Sequence, residues 1–215
     1  MKYKGIIFDL DGTLVNSLED IADAMNKVLH DLNYPTHSYD VFQYFIGSGL
    51  RNTVTKALPA SNNTDEQIEI CLERMVKGYS ESCTLKTKPY DEIIELLDNL
   101  VSRNIKLAVF SNKADELTKK IVAAIFPNYF SNVVGLSIES LKKPNPFEAI
   151  VISEKWNLKP EEIIFIGDSD IDMQTAVNAN MFPVGVTWGY RTEEELKASG
   201  AKMVIHNPLE LIQSL

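Results

Sequence analysis

Short, continuous apolar runs recur along the chain, each ending abruptly in polar or glycine residues. Gly5-Ile6-Ile7-Phe8 is the first. Lys106-Leu107-Ala108-Val109-Phe110, Asn132-Val133-Val134-Gly135, Ile163-Ile164-Phe165-Ile166, Pro183-Val184-Gly185-Val186 and the shorter Met203-Val204-Ile205 follow. Runs that do not alternate belong to strands buried on both faces. Between them lie amphipathic stripes: Glu92 to Val101 carries apolar residues at 93, 94, 96, 97, 100 and 101, the spacing of one helix face. Leu117 to Ile125, Phe147 to Trp156 and Met173 to Ala179 read the same way. Asn207-Pro208 predicts the start of a last helix, a capping residue followed by Pro at the first helical position. Strands alternating with helices require a parallel sheet covered on both faces by right-handed crossovers. The fold class is therefore α/β, with a Rossmann-like core.

Residues 16–84 break that rhythm. They hold no buried strand pattern but several helical ones. Ser17 to Leu32 has apolar residues at 18, 21, 22, 25, 28, 29 and 32, and Leu50 to Leu58 follows. Thr64-Asp65-Glu66-Gln67 then reads as a capping box opening a helix through Ile68, Leu72, Met75 and Val76. This predicts an all-α subdomain of 16–84 inserted after the first strand of an α/β core formed by 1–15 and 85–215. At roughly 70 residues such an insertion is marginal alone and must pack on the core. Gly47-Ser48-Gly49 superficially suggests a dinucleotide fingerprint, but Asn52 stands where the third glycine belongs and no βαβ unit follows. A break between helices is the simpler reading.

Composition narrows the function. Of the 215 residues, 45% are hydrophobic and 24% charged, which excludes disorder and collagen. Twenty-one basic against thirty acidic residues give a net charge of −9 with no basic run. Nucleic acid and anionic membrane surfaces are thereby excluded as partners. Cys71 and Cys83 can form no disulfide framework and lack metal-ligand spacing, which fits a reducing cytoplasm. The N-terminus does not read as a signal peptide, and no 18-residue apolar stretch exists to span a membrane.

Ligands of open α/β sheets bind beyond the carboxyl ends of the strands, and the residues expected there are distinctive. Asp9 and Asp11 follow the first strand. Ser111, Asn112 and Lys113 follow the run ending at Phe110. Lys142-Lys143-Pro144-Asn145-Pro146 precedes the Phe147 helix, and Gly167, Asp168, Ser169, Asp170 and Asp172 follow the run ending at Ile166. Any single Asp in such a place is usually a turn or cap residue; the joint pattern is not explained that way. Several carboxylates in one crevice repel and call for a cation, and hard oxygen ligands select Mg²⁺. A metal with a lysine and a hydroxyl donor suits a phosphoryl group. One carboxylate can then act as nucleophile, and another, crowded by like charges, can hold a proton and act as general acid.

Asp9-Leu10-Asp11-Gly12-Thr13, Ser111-Asn112, Lys143-Pro144 and Gly167-Asp168-Ser169-Asp170-Ile171-Asp172 resemble, in order, the four motifs of the haloacid dehalogenase superfamily of phosphohydrolases. The insertion resembles that superfamily's helical cap, and the resemblance covers essentially the whole chain. Within the superfamily the chain is most similar to the phosphoglycolate phosphatase group, through Phe45-Ile46-Gly47-Ser48-Gly49-Leu50-Arg51, Lys143-Pro144-Asn145-Pro146 and Val186-Thr187-Trp188-Gly189-Tyr190. The resemblance implies these roles. Asp9 attacks phosphorus, giving an aspartyl-phosphate; Asp11 protonates the leaving oxygen and later takes a proton from water. Thr13, Ser111 and the amide of Asn112 hold the phosphoryl group, and Lys143 neutralises charge beside Asp9. Asp9, Asp168 and the Asp11 backbone carbonyl bind Mg²⁺, with Asp172 touching the metal or holding its water shell. Gly49 and Arg51 are candidates for facing the substrate from the cap, although an Arg making only surface contacts fits Arg51 as well. Asn16 stands where the family often has Asp, and Asp91 where a Gly often follows the Pro89 turn; neither touches the chemistry.

The expected function is a Mg²⁺-dependent phosphomonoester hydrolase for a small phosphorylated metabolite, 2-phosphoglycolate first among them, working as a monomer or homodimer. The alternatives are β-phosphoglucomutase-like transfer, pyrophosphatase or nucleotidase activity on the same core, and metal-free dehalogenation, which Asp11 and the Asp168/Asp172 pair oppose. A phospho-accepting receiver domain would need its acceptor after the third strand, where Gly135-Leu136-Ser137 stands. His30, His37 and His206 read as structural or surface residues, Glu193-Glu194-Glu195 as a helix's first turn, and Trp188 and Tyr190 as pocket wall or core.

Overall fold

The computed structural model describes residues 2–213 and 215. The chain divides into two compact units, Met1–Asn16 with Pro89–Leu215, and Ser17–Lys88.

After strand β1 (Gly5–Phe8) the chain enters the second unit, which is helical: α1 (Leu18–Asp31), α2 (Tyr39–Phe42), α3 (Gly49–Ala57) and α4 (Asp65–Ser82). The apolar stripe of α1 buries Ile21, Ala22, Met25, Val28 and Leu29, and α4 buries Ile68, Cys71, Met75 and Tyr79. Thr64 caps α4 as its sequence suggests, accepting a bond from the Gln67 amide at 3.2 Å. Gly47 and Gly49, both at positive φ, make the break before α3. His37 is structural: its Nε2 lies 2.8 Å from the Ala57 carbonyl and its ring packs edge-on against Phe42 and Phe45. The buried Asp20, in the first turn of α1, accepts the Lys86 and Thr87 amides and the Thr87 hydroxyl. One carboxylate thus ties the end of this unit to its beginning. Cys71 and Cys83 are buried free thiols.

The first unit resumes with α5 (Ile93–Ser102), β2 (Lys106–Ala114), α6 (Asp115–Ile125), β3 (Asn132–Leu136), α7 (Phe147–Trp156), β4 (Ile163–Gly167), α8 (Asp170–Asn178), β5 (Phe182–Val186), α9 (Glu193–Ala198), β6 (Met203–Ile205) and α10 (Glu210–Gln213). The strands form one parallel sheet in the order β3-β2-β1-β4-β5-β6. Ile7 pairs with Ala108 on one side and Phe165 on the other. Register partners share a face, so these three, with Phe110 and Ile163, join Ala149, Ile152 and Trp156 of α7 and Ala176 of α8 in one buried layer. Side chains one residue along, Phe8, Val109 and Ile166, are fully buried on the opposite face. Both faces being covered explains why the strands read as unbroken apolar runs.

Strand order reverses at β1, and its register with β4 runs from Gly5↔Ile163 to Phe8↔Ile166. The residues after Phe8 and Ile166 therefore emerge side by side at the switch point, where open sheets bind ligands.

Two elements depart from expectation. Strand β2 does not stop at Phe110 but runs to Ala114, with its register to β3 shifting between Phe110 and Ala114. The last helix begins at Glu210, two residues beyond Pro208, and Asn207 Oδ1 accepts the Leu209 amide at 2.8 Å as a capping residue does. No helix among the described residues is long and apolar enough to cross a membrane.

Candidate active site

Asp9 leaves β1 with its amide bonded to the Ile166 carbonyl at 2.9 Å, which holds the side chain at the sheet edge beside the end of β4. There it meets Asp168 and Asp172: the three are buried, and each offers a carboxylate oxygen within 4.8 Å of the others. Lys143, from the loop before α7, reaches into this group. Its ammonium donates to Asp9 Oδ1 at 2.7 Å and to Asp172 Oδ1 at 2.6 Å. Oδ2 of Asp9 accepts no hydrogen bond among the described residues.

Each acid is oriented by its own surroundings. Asp168 Oδ1 accepts the Thr13 hydroxyl at 3.0 Å and Oδ2 accepts the Tyr190 amide at 2.9 Å. Backbone closes over it: a Cβ at Gly189 would lie 2.3 Å from Asp168 Cβ and 2.4 Å from the Gly12 carbonyl oxygen. Gly12 itself sits at φ 91°, and its own Cβ would strike the Asp168 carboxylate. Asp172 is the third residue of a capping box on α8. Its Oδ2 accepts the Ser169 hydroxyl at 2.6 Å and the Ser169 amide at 3.2 Å, so this acid spans from the helix start to Lys143.

The electrostatics follow from burial. Three carboxylates against the single ammonium of Lys143 leave two negative charges without compensation when all are ionised. Burial pushes the Asp9 carboxyl up to about 7, with Lys143 opposing and the Asp172 and Asp11 charges adding to the rise. Burial, with the neighbouring Asp172 and Asp9, likewise raises Asp168 well above the ordinary carboxylate range, against the bonds from Tyr190 and Thr13. Burial disfavours charge on Lys143, but the Asp172 and Asp9 carboxylates beside it outweigh that and hold its pKa above the usual lysine value. A divalent cation carries the two charges the cluster lacks, and an all-oxygen donor set is the kind that Mg²⁺ takes. The residues fit such an ion.

The remaining expected residues divide by location. Thr13, Ser111, Asn112 and Asp11 lie in the same unit as the three acids, all buried. Ser111 Oγ accepts the Lys113 amide at 3.2 Å, and its hydroxyl hydrogen has no acceptor among the described residues. The Asn112 side chain grips the Lys143 backbone, accepting its amide at 2.8 Å and donating to its carbonyl at 3.3 Å. The Asn112 side chain is therefore engaged with backbone. Gly49 and Arg51 belong to the helical unit, where Arg51 pairs with Glu69 and Asp65 of α4.

Four neighbours complete the surroundings, of which Tyr90 alone goes unmentioned in the sequence analysis. Lys113 Nζ donates to both oxygens of Asp11, each at 2.7 Å. Tyr90, half-buried, has its phenol held in the neutral form by burial and by the charges of Asp168 and Asp11. The Tyr190 amide bonds Asp168, and the Trp188 indole donates to the Thr13 carbonyl at 3.0 Å. The Lys113 position was visible as one of the residues after the 107–110 run; backbone donors leave no sequence signal.

A parallel sheet carrying a buried acid triad and a lysine at its switch point defines a class, and comparison with known families agrees. A model described as haloacid dehalogenase-like hydrolase matches residues 6–186. The chain belongs to that family, and within it to the phosphatases. It is 37% identical over 186 residues to the phosphoglycolate phosphatase of Aquifex aeolicus, covering 86% of this chain and 85% of that protein. It is 30% identical over 216 residues to the phosphoglycolate phosphatase of Colwellia psychrerythraea, covering 98% and 96%. Among solved structures, a predicted phosphoglycolate phosphatase from Haemophilus somnus superposes with a TM-score of 0.91 at 28% identity, over 100% of this chain and 98% of that one.

Proposed function

We propose that this chain hydrolyses a small phosphomonoester, 2-phosphoglycolate in the first instance, through an aspartyl-phosphate on Asp9 with Mg²⁺ as cofactor. The observation that carries the reading is the asymmetry of Asp9. Lys143 occupies Oδ1, Oδ2 accepts no hydrogen bond among the described residues, and the carboxylates of two further acids lie close by.

In the first half-reaction Oδ2 of Asp9 forms a bond to phosphorus while the bond from phosphorus to the ester oxygen breaks. A proton from Asp11 goes to that oxygen. In the second, water attacks phosphorus and gives a proton to Asp11; phosphate leaves and the Asp9 carboxylate is restored. Lys143 keeps Asp9 oriented and balances negative charge through both steps. In this reading Ser111, the Asn112 amide and Thr13 hold the phosphoryl oxygens, the Thr13 hydroxyl turning from Asp168 to do so. Asp9, Asp168 and the Asp11 carbonyl would bind Mg²⁺, with Asp172 holding its shell through Lys143 and the α8 cap. The ion supplies Lewis acidity toward a phosphoryl oxygen and offsets the charge of the three acids.

The choice of 2-phosphoglycolate is supported by the names of the relatives at 37% and 30% identity. The test is phosphate release from a panel of phosphate esters and pyrophosphate, with Mg²⁺ and with chelator, for wild type and Asp9→Asn. A Mg²⁺-dependent preference of about a hundredfold or more for 2-phosphoglycolate, lost by at least about a thousandfold in Asp9→Asn, is expected. Preference for pyrophosphate or a nucleotide would overturn the substrate. Isomerisation without phosphate release would point to mutase chemistry. Activity of Asp9→Asn within tenfold of wild type would overturn the nucleophile.

A further inference from the structure

We propose that Lys113 is the positioning residue for Asp11, fixing the carboxyl that exchanges protons with the leaving oxygen and with water; this rests on the acid–base reading of Asp11 given above. The ammonium of Lys113 lies 2.7 Å from each oxygen of Asp11, and the two side chains are only 2% and 10% exposed. So dry a pair costs solvation on both sides and is not explained as a contribution to stability, since apolar replacements of buried pairs are often neutral or stabilising. Its geometry offers a better account. A carboxyl gripped across both oxygens cannot rotate, and when a proton sits on one oxygen the ammonium still holds the other.

Strand β2 delivers this contact. Its extension past Phe110, through the shift in register with β3, carries both Ser111 and Lys113 to the sheet edge. Ser111 is thereby assigned to the phosphoryl group and Lys113 to Asp11, while Asn112 between them turns to the Lys143 backbone. The far end is anchored as well: the Lys113 amide bonds Ser111 Oγ and its carbonyl accepts the Thr118 hydroxyl of α6 at 3.1 Å. The lysine therefore approaches Asp11 from a rigid element, as accurate placement of an acid requires.

The experiment uses leaving groups that need a proton to different degrees. An alkyl phosphate such as 2-phosphoglycolate departs as a strongly basic alkoxide and depends on Asp11, whereas p-nitrophenolate leaves without protonation. For wild type, Lys113→Met, Lys113→Arg, Asp11→Asn and the Lys113→Met/Asp11→Asn double variant, the ratio of kcat on the alkyl to kcat on the aryl ester is measured within one preparation, so that an inactive fraction cancels. The ratio should fall about tenfold or more in Lys113→Met and Asp11→Asn alike, recover in part in Lys113→Arg, and fall no further in the double variant. KM should change little. Equal losses on both esters in Lys113→Met, with the ratio still lowered in Asp11→Asn, would overturn the role of Lys113 and leave that of Asp11 standing. An unchanged ratio in Asp11→Asn would overturn the acid itself. Should Lys113→Met fail to fold, Lys113→Arg decides: with the ammonium's compact reach replaced by a planar fork, the ratio must still drop below that of wild type.

Discussion

Lys143 Nζ lies 2.7 Å from Oδ1 of Asp9, and that bond distinguishes the two oxygens of the carboxylate. The same ammonium reaches Asp172, which is itself locked into the start of α8. The orientation of the proposed nucleophile is therefore set by a helix cap through one lysine. Lys143→Met should lower kcat on every phosphate ester by about a hundredfold or more, irrespective of leaving group, because two buried carboxylates lose the ammonium they share. Steady-state kinetics on alkyl and aryl esters read this directly, and a loss confined to alkyl esters would contradict it.

The acid cluster makes stability depend on pH and metal together. A carboxyl whose pKa is higher in the folded chain than its ordinary 3.8 binds more protons folded than unfolded. The contribution of Asp9 is thus full below that value and lost as pH rises through about 7; Asp168 acts in the same direction. In chelator the melting temperature should fall between pH 5 and pH 8, all else being equal, and the gain on adding Mg²⁺ should widen over the same interval. Thermal melts at four pH values with and without Mg²⁺ check it. A gain of constant size would contradict the charge deficit.

Gly189 has no room for a methyl group: its Cβ would meet Asp168 at 2.3 Å and the Gly12 carbonyl at 2.4 Å. Gly189→Ala should displace Asp168, weakening Mg²⁺ binding by roughly tenfold or more and lowering kcat with it. Calorimetric titration with Mg²⁺ measures the first and phosphate release the second.

In the helical unit, Asp20 gathers donors from Lys86 and Thr87 onto one buried carboxylate. Asp20→Ala leaves those donors unsatisfied and should cost about 2 kcal/mol or more. Denaturant unfolding, with a control at the exposed Asp31, would show it; a cost equal to the control would contradict the clamp.

Much of this arrangement was legible in the residues themselves. Strands β1 and β4 announce themselves because burial on both faces demands unbroken apolar runs, and the acids that follow them are set side by side by sheet order alone. The Lys143-Pro144 motif singles out Lys143, and Lys143 is the residue that reaches Asp9. Legibility fails where hydrophobicity carries no information. Ser111 to Ala114 are strand residues that are largely polar because they face the site, so the apolar run ends four residues before β2 does. The four-residue α2 has too little periodicity to read. The bond from Lys113 to Asp11 joins residues 102 apart in sequence, and only the register of β2 against β1 brings them together. Asp168's partner at Tyr190 is a backbone amide, which every residue but proline has.

The most direct test of the central claim, transfer through Asp9, is the stereochemical course at phosphorus. It uses a phosphate ester made chiral with oxygen isotopes and sulfur, hydrolysed in isotopically labelled water. Two in-line displacements, first by Asp9 Oδ2 and then by water, predict net retention of configuration. Net inversion would mean that water attacks the ester directly, and Asp9 would not be a nucleophile.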